Sequence, residues 1–216
     1  MIIALLSVTV SANTEVLYKN DFENGVDGFS LGNAFYQNAG YEVLNSYGNS
    51  YLKLCGGLSI ANLNRPVMIL TGDDEWTNYT FEFKAKMPRI TGDTFYVLFG
   101  YQDNNNRKSF AITQGGAIVS FSSVVGETRA MLAEGNNITN AKSSITMPSN
   151  FNAGTWNRYR IVVNDKTASV YLNNAEKPFM MANFDTEVKG RIGLGIHSAT
   201  YVPVYACFDD IVVTKN

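Results

Sequence analysis

Few side chains in this sequence could do chemistry, and the acids stand out among them. Asp21-Phe22-Glu23 lies near the start, and Phe208-Asp209-Asp210-Ile211 near the end. The second group sits in an apolar stretch, residues 206–213, that reads as a β-strand. Strand side chains alternate between faces, so one of two adjacent aspartates should point inward. A buried carboxylate needs N–H donors, a basic side chain or a cation. The sequence has one histidine, His197, facing away from Ile196 and sharing its side of a strand with Gly193 and Gly195. A lone histidine is more commonly a satisfied polar residue than a general base. The acids Asp73, Asp74 and Glu75 precede a strand and read as a solvated turn. No G-x-S-x-G elbow, phosphate loop, Cys-x-x-Cys or Cys–His pairing occurs.

The elements that must position these groups read as strands. Residues 79–87, YTFEFKAKM, place Phe81, Phe83, Ala85 and Met87 on one face and Glu82, Lys84 and Lys86 on the other. Such alternation marks a half-buried antiparallel strand. Residues 94–103 are apolar on both faces and read as a central strand, followed by a turn at Asn104 to Asn106 with Arg107 and Lys108 beside it. Residues 109–114 and 117–125 read as a hairpin about Gly115-Gly116, and residues 158–164 and 167–173 as a second about Asp165-Lys166. Small residues at Gly193 and Gly195 leave room for a ligand or another backbone. Residues 130–134 read as at most one helical turn. Short strands at regular spacing predict an all-β sandwich or barrel.

Composition narrows the classes of function. Of 216 residues 45% are hydrophobic, enough for a sizeable core, and 17% are charged, with a net charge of −2. No Lys/Arg cluster points to nucleic acid, and no apolar run reaches the roughly 20 residues of a membrane span. Residues 1–12, MIIALLSVTVSA, are apolar and end in Val10-Ser11-Ala12, which fits a secretory signal peptide; a first β-strand is the other reading. The mature domain then runs over residues 13–216 and is directed outside the cell. Cys55 and Cys207 fit either a disulfide closing a long loop or two buried free thiols.

In order along the chain stand Asp21-Phe22-Glu23, Trp76 with Tyr79, Trp156 with Tyr159, Leu172-Asn173, residues 190–194 (GRIGL) and residues 208–213 (FDDIVV). This series resembles the concanavalin A-like lectin/glucanase superfamily, most nearly its laminin G-like and carbohydrate-binding modules. The resemblance implies an antiparallel jelly-roll β-sandwich whose first and last strands are neighbours. Trp76 and Trp156 are then structural. Asp21 and Glu23 are then brought close to Asp209 and Asp210, and Asp21 or Glu23, with Asp209 or Asp210 and backbone carbonyls, would hold a structural Ca2+, which oxygen donors without His or Cys suit. The alternative has Asp209 accepting N–H bonds at a bulge and Asp210 in solvent beside a basic residue.

The resemblance also implies a glycan or polysaccharide partner. Sugar sites stack aromatic rings on pyranose faces and add polar side chains for the hydroxyls. Tyr96, Tyr101, Tyr171, Tyr201 and Tyr205 are the aromatic candidates, with Gln114, Arg129 and His197 as polar ones. The E-x-D-x-x-E pattern of the superfamily's glucanases is absent, as are the motifs of its alginate lyases. The expectation is therefore a secreted, non-catalytic carbohydrate-binding module. Two alternatives remain: a divergent hydrolase or lyase built on His197, Arg129 and Tyr201, and an adhesion module that binds protein.

Overall fold

The computed structural model describes residues 14–31, 40–56, 67–88, 93–114, 127–135, 141–198 and 204–216. The leader expected at 1–12, the strand expected at 117–125 and Tyr201 lie outside these residues. One sheet runs β13 (Met180–Asn183), β12 (Thr167–Leu172), β11 (Asn157–Asn164), β6 (Tyr79–Lys86), β15 (Val204–Lys215), β4 (Asn49–Gly56) and β3 (Gly40–Ser46), with β1 (Val16–Asn20) also on β15. The other runs β10 (Ala141–Thr146), β9 (Thr128–Glu134), β8 (Lys108–Gln114), β7 (Asp93–Tyr101), β14 (Arg191–Ser198), β5 (Val67–Thr71) and β2 (Ser30–Leu31). The pairings are antiparallel throughout. The fold is the expected all-β jelly-roll sandwich. Among the described residues no helix is long and apolar enough to cross a membrane.

The core lies between the sheets and follows the alternation of the strands. Phe81, Phe83 and Ala85 of β6 are buried while Thr80, Glu82 and Lys84 are not. Phe95, Val97 and Phe99 of β7 meet them from the opposite layer. Tyr159 of β11 ties the layers together: its ring stacks on Phe83 at 5.2 Å and meets Phe95 at 5.7 Å and Phe110 at 5.6 Å. Residues 130–134, expected as a helical turn, are strand, because β9 is clamped between β8 and β10. Tertiary pairing outweighs the helix preference of Ala, Met and Leu there.

The last strand is the hub. On one edge β15 pairs with β6; on the other it pairs first with β4, over 204–208, and then with β1, over 211–214. The change of partner falls at Asp209-Asp210, where the ladder to β6 also slips, between Asp209 and Val212. Asp210 takes a left-handed backbone, φ 50°, which Asp tolerates better than most residues. The inserted residue reverses the alternation. Ala206 and Phe208 face the core before it, Ile211 and Val213 after it.

At one margin of the sandwich Glu134 of β9 holds the 183–190 connection in place. Its carboxylate accepts the backbone N–H of Asp185 at 2.9 Å and of Thr186 at 3.2 Å, with Lys108 Nζ at 3.3 Å and Lys142 Nζ at 3.4 Å. Burial opposes its ionisation, but these donors and the Lys108 charge outweigh that and hold its pKa down to about 2. A carboxylate depressed below its ordinary 4.5 stabilises the fold above that pH, and the contribution is lost as pH falls toward about 2. Melting temperature followed from neutral pH to about pH 2 should therefore drop across this window. Glu134→Gln should lower stability at neutral pH and flatten that drop; an unchanged acid profile would exclude the clamp.

Candidate functional site

Cross-strand register assembles a polar row on the outer face of the seven-stranded sheet. His197 of β14 is opposite Thr94 of β7, Thr94 opposite Thr113 of β8, and Thr113 opposite Arg129 of β9. Three strand spacings separate the ends of the row, roughly 14 Å. The Thr94 and Thr113 hydroxyls are buried and 2.9 Å apart. His197 and Arg129 flank them, both half-buried. Gln114 closes β8 opposite Thr128, one residue beyond this row.

The next row is Gly195, Tyr96, Ala111 and Met131, and it is packed. A Cβ on Gly195 would lie 2.1 Å from Tyr96 Cζ, and one on Gly193 would lie 2.7 Å from Leu70 Cδ2. The space expected above the two glycines for a ligand is thus taken by the protein's own side chains. Tyr96, 3% exposed, joins Met68, Leu70, Leu98, Tyr101, Ala111 and Met131 in a second apolar cluster. Burial pushes its hydroxyl well above the ordinary range, with nearby Arg107 pulling the other way. Tyr101 is also buried, its hydroxyl donating to Asn104 Oδ1 at 3.4 Å. Neither ring presents a free face to a sugar. Arg107, read from the sequence as part of a turn, is itself buried; its Nε donates to the Gly135 carbonyl at 3.3 Å.

Tyr171 and Tyr205 lie on the other side of the molecule. Both are on the outer face of the eight-stranded sheet, Tyr171 beneath the Arg160 guanidinium at 3.9 Å and Tyr205 beneath Lys53 Nζ at 5.1 Å. The aromatic candidates therefore do not form one site. The tryptophans also part company. Trp76 is structural, filling the space over Gly72 and meeting Tyr79 at 6.3 Å. Trp156 is not: it is 36% exposed, on the outer face of the eight-stranded sheet beside Tyr51. Nothing local in the sequence distinguishes the two, since each precedes a strand.

The acids at the two ends are neighbours, as Asn20 is opposite Ile211. Each, however, has its own partner. Asp209 accepts from Asn49 Nδ2 at 3.1 Å and from the Asp210 N–H at 2.8 Å. Burial raises its pKa even so. Asp210 pairs with Lys84 Nζ at 2.6 Å. Glu23 accepts the Ser50 N–H at 2.6 Å, and Asp21 accepts the Glu23 N–H at 3.3 Å. Among the described residues no three His, Cys, Asp or Glu side chains converge as a metal site. This donor set does not fit a calcium cage, which takes six to eight oxygens; the carboxylates instead serve the bulge and the β1–β4 junction.

Cys55 and Cys207 are free thiols rather than a bridged pair. Their strands are adjacent, but Cys55 is opposite Tyr205 and Cys207 opposite Lys53, so the two are diagonal, a wider separation than directly opposed residues have. Burial holds both thiols up, Cys207 to about 11, which keeps it protonated and inert at neutral pH.

Two antiparallel layers in this order define a concanavalin A-like, glucanase-type jelly roll. Similar structures include a β-glucanase of Bacillus licheniformis, with TM-score 0.61, 12% identity, and 94% of this chain and 98% of that one covered. A carbohydrate-binding module from Bacillus subtilis matches with TM-score 0.56 and 11% identity, over 87% of this chain and 96% of that one. A structure from work on endo-acting O-glycanases of the human gut microbiota, which initiate mucin breakdown, has TM-score 0.61 and 13% identity, over 93% and 99%. The chain belongs to the 3-keto-alpha-glucoside-1,2-lyase-like domain family, which matches residues 21–214. No curated protein matches the sequence significantly. Family and fold together make this a carbohydrate-related β-sandwich.

Two outcomes test this description. Gly195→Ala should cost roughly 1–3 kcal/mol in chemical denaturation, and Tyr96→Ala in the same chain should remove most of that penalty; simple additivity would mean that the ring does not press on the glycine. Melting temperature should be the same with calcium as with chelator, and a calcium-dependent rise of several degrees would restore the metal.

Proposed function

We propose that this domain recognises a glycan on the outer face of its seven-stranded sheet, along the row from His197 to Arg129. The observation that carries this reading is the register itself. It sets an imidazole and a guanidinium, both half-buried, at the two ends of one row, with the buried Thr94–Thr113 pair as the floor between them. Polar groups fixed on strands suit a polyhydroxylated ligand, because their positions are set before binding. Export belongs to the same proposal, supported by the apolar leader ending in Val10-Ser11-Ala12.

A second reading follows from the family match over 21–214: elimination on a 3-keto-glucoside. A ketone at C3 acidifies the C2 proton. A base removes that proton, the resulting enolate expels the C1 oxygen substituent, and the products are a protonated aglycone and a 1,2-unsaturated 3-keto sugar. In this chain His197 is the base, and Arg129 holds hydroxyls at the other end of the row. A base must come within hydrogen-bond reach of its proton, so this reading requires the substrate's C2 to lie over His197, which is half-buried at the end of the row.

Binding to a panel of neutral oligosaccharides, together with absorbance of the conjugated product from a 3-keto-α-glucoside, separates the two readings. Arg129→Ala should weaken binding roughly tenfold, about 1.4 kcal/mol, under either. His197→Ala should abolish turnover yet spare most affinity if elimination occurs. Absence of turnover in the unaltered protein with affinity intact leaves recognition alone; Arg129→Ala binding as tightly as the parent would overturn both.

A further inference from the structure

We propose that the outer face of the eight-stranded sheet carries a second carbohydrate site, a cleft that takes a sugar unit bearing a carboxylate, such as a uronic acid within a polysaccharide. It lies on the opposite face of the sandwich from the row described above and does not depend on that row's function.

The cleft has a volume of about 380 Å3 and runs from the β3–β4 turn across β15 and β6 to Trp156. That volume suits one or two sugar rings. Three observations set its ligand. First, aromatic surface is presented at both ends. Tyr47 stands fully in solvent at one, and Trp156 keeps a third of its surface exposed at the other. Exposed indole and phenol faces are the surfaces on which pyranose rings stack.

Second, Lys86 in the cleft has no ion-pair partner among the described residues. Lys86 Nζ sits 4.5 Å from the Trp156 ring and 4.8 Å from that of Tyr51, held there by both π-faces. The neighbouring Lys84 is already neutralised by Asp210 at 2.6 Å. Among the described residues no carboxylate lies within ion-pair distance of Lys86. An ammonium fixed over aromatic rings and facing open space calls for one negative charge.

Third, the floor offers hydrogen-bonding groups that a bare anion would not use. Asp209, 3% exposed, and Asn49 are locked together at 3.1 Å beneath the cleft, and Ser46 stands on the wall. The exposed Asn49 and Ser46 are the groups that meet ligand hydroxyls, and the Asp209 charge beneath them repels an anion placed directly above it. The ligand's charge must therefore sit at the Lys86 end and its hydroxyls at the Asp209 end. A single sugar unit with one carboxylate satisfies both demands; a phosphate or sulfate ion satisfies only the first.

Calorimetric titration of the full chain with oligogalacturonate, its methyl ester and oligoglucuronate tests the proposal, with inorganic sulfate as competitor. The acidic oligosaccharides should bind, with affinity falling as salt rises, and the methyl ester should bind at least tenfold more weakly. Lys86→Met should remove the preference for the acid over the ester, and Trp156→Ala should weaken both by tenfold or more. Arg129→Ala, on the other face, should leave uronate binding unchanged; loss there with Lys86→Met unaffected would assign any uronate binding to the first face and overturn the second site. The proposal also fails if neither uronate oligomer binds, or if sulfate displaces them at equal concentration. Circular dichroism of each variant confirms that it is folded.

Discussion

The constraint on which this architecture rests is that one strand, β15, must satisfy two partners in succession along the same edge. Backbone N–H and C=O groups in a buried sheet need continuous pairing, yet β4 covers only the first half of that edge and β1 the second. A bulge accommodates the hand-over, and the adjacent aspartates make it possible. Asp210 supplies the left-handed residue, and Asp209 accepts the N–H that the bulge leaves without a ladder partner. The bulge also reverses the alternation, bringing Ile211 and Val213 inward and leaving both carboxylates outside the hydrophobic layer. An uninterrupted strand would have carried the inward parity of Ala206 and Phe208 on to Asp210.

Much of this was legible in the residues, and the illegible parts share a cause. The alternation of residues 79–87 and the hairpin about Asp165-Lys166 are local signals, and both elements form where the pattern places them. The meeting of the first and last strands followed from the family resemblance. Residues 130–134 misled because Ala, Met and Leu favour a helix locally, while the fate of β9 is decided by β8 and β10 on either side. The same limit governs the site. His197 and Arg129 were identifiable as polar residues on strands, but their alignment depends on the register of four strands, one of which, β14, is distant in sequence from β7, β8 and β9. That Gly195 is a seat for Tyr96 rather than a gap depends on the pairing of β14 with β7. Trp156 carries no mark in the sequence that separates it from Trp76; only burial does so.

The two outer faces have different characters. The seven-stranded sheet has a polar row beside an apolar patch of Met68, Leu70, Tyr96, Leu98 and Met131, so its polar groups are concentrated at one end. The eight-stranded sheet alternates charged and aromatic side chains: Lys53 over Tyr205, Lys86 over Tyr51 and Trp156, Arg160 over Tyr171. Each cation occupies one face of its ring and helps to fix the ring's orientation. A sandwich of this kind can vary one face without disturbing the other, because the core between them is contributed by the opposite parity of every strand.

The position of β15 also bears on how the chain becomes a sheet during synthesis. Residues 204–215 lie between β6 on one side and β4 and β1 on the other, so the earlier strands cannot close into a layer until those residues have left the ribosome. Until then β4 and β6 keep open edges although the strands of the facing sheet have all been made, and long-range pairing of this kind is slow to order.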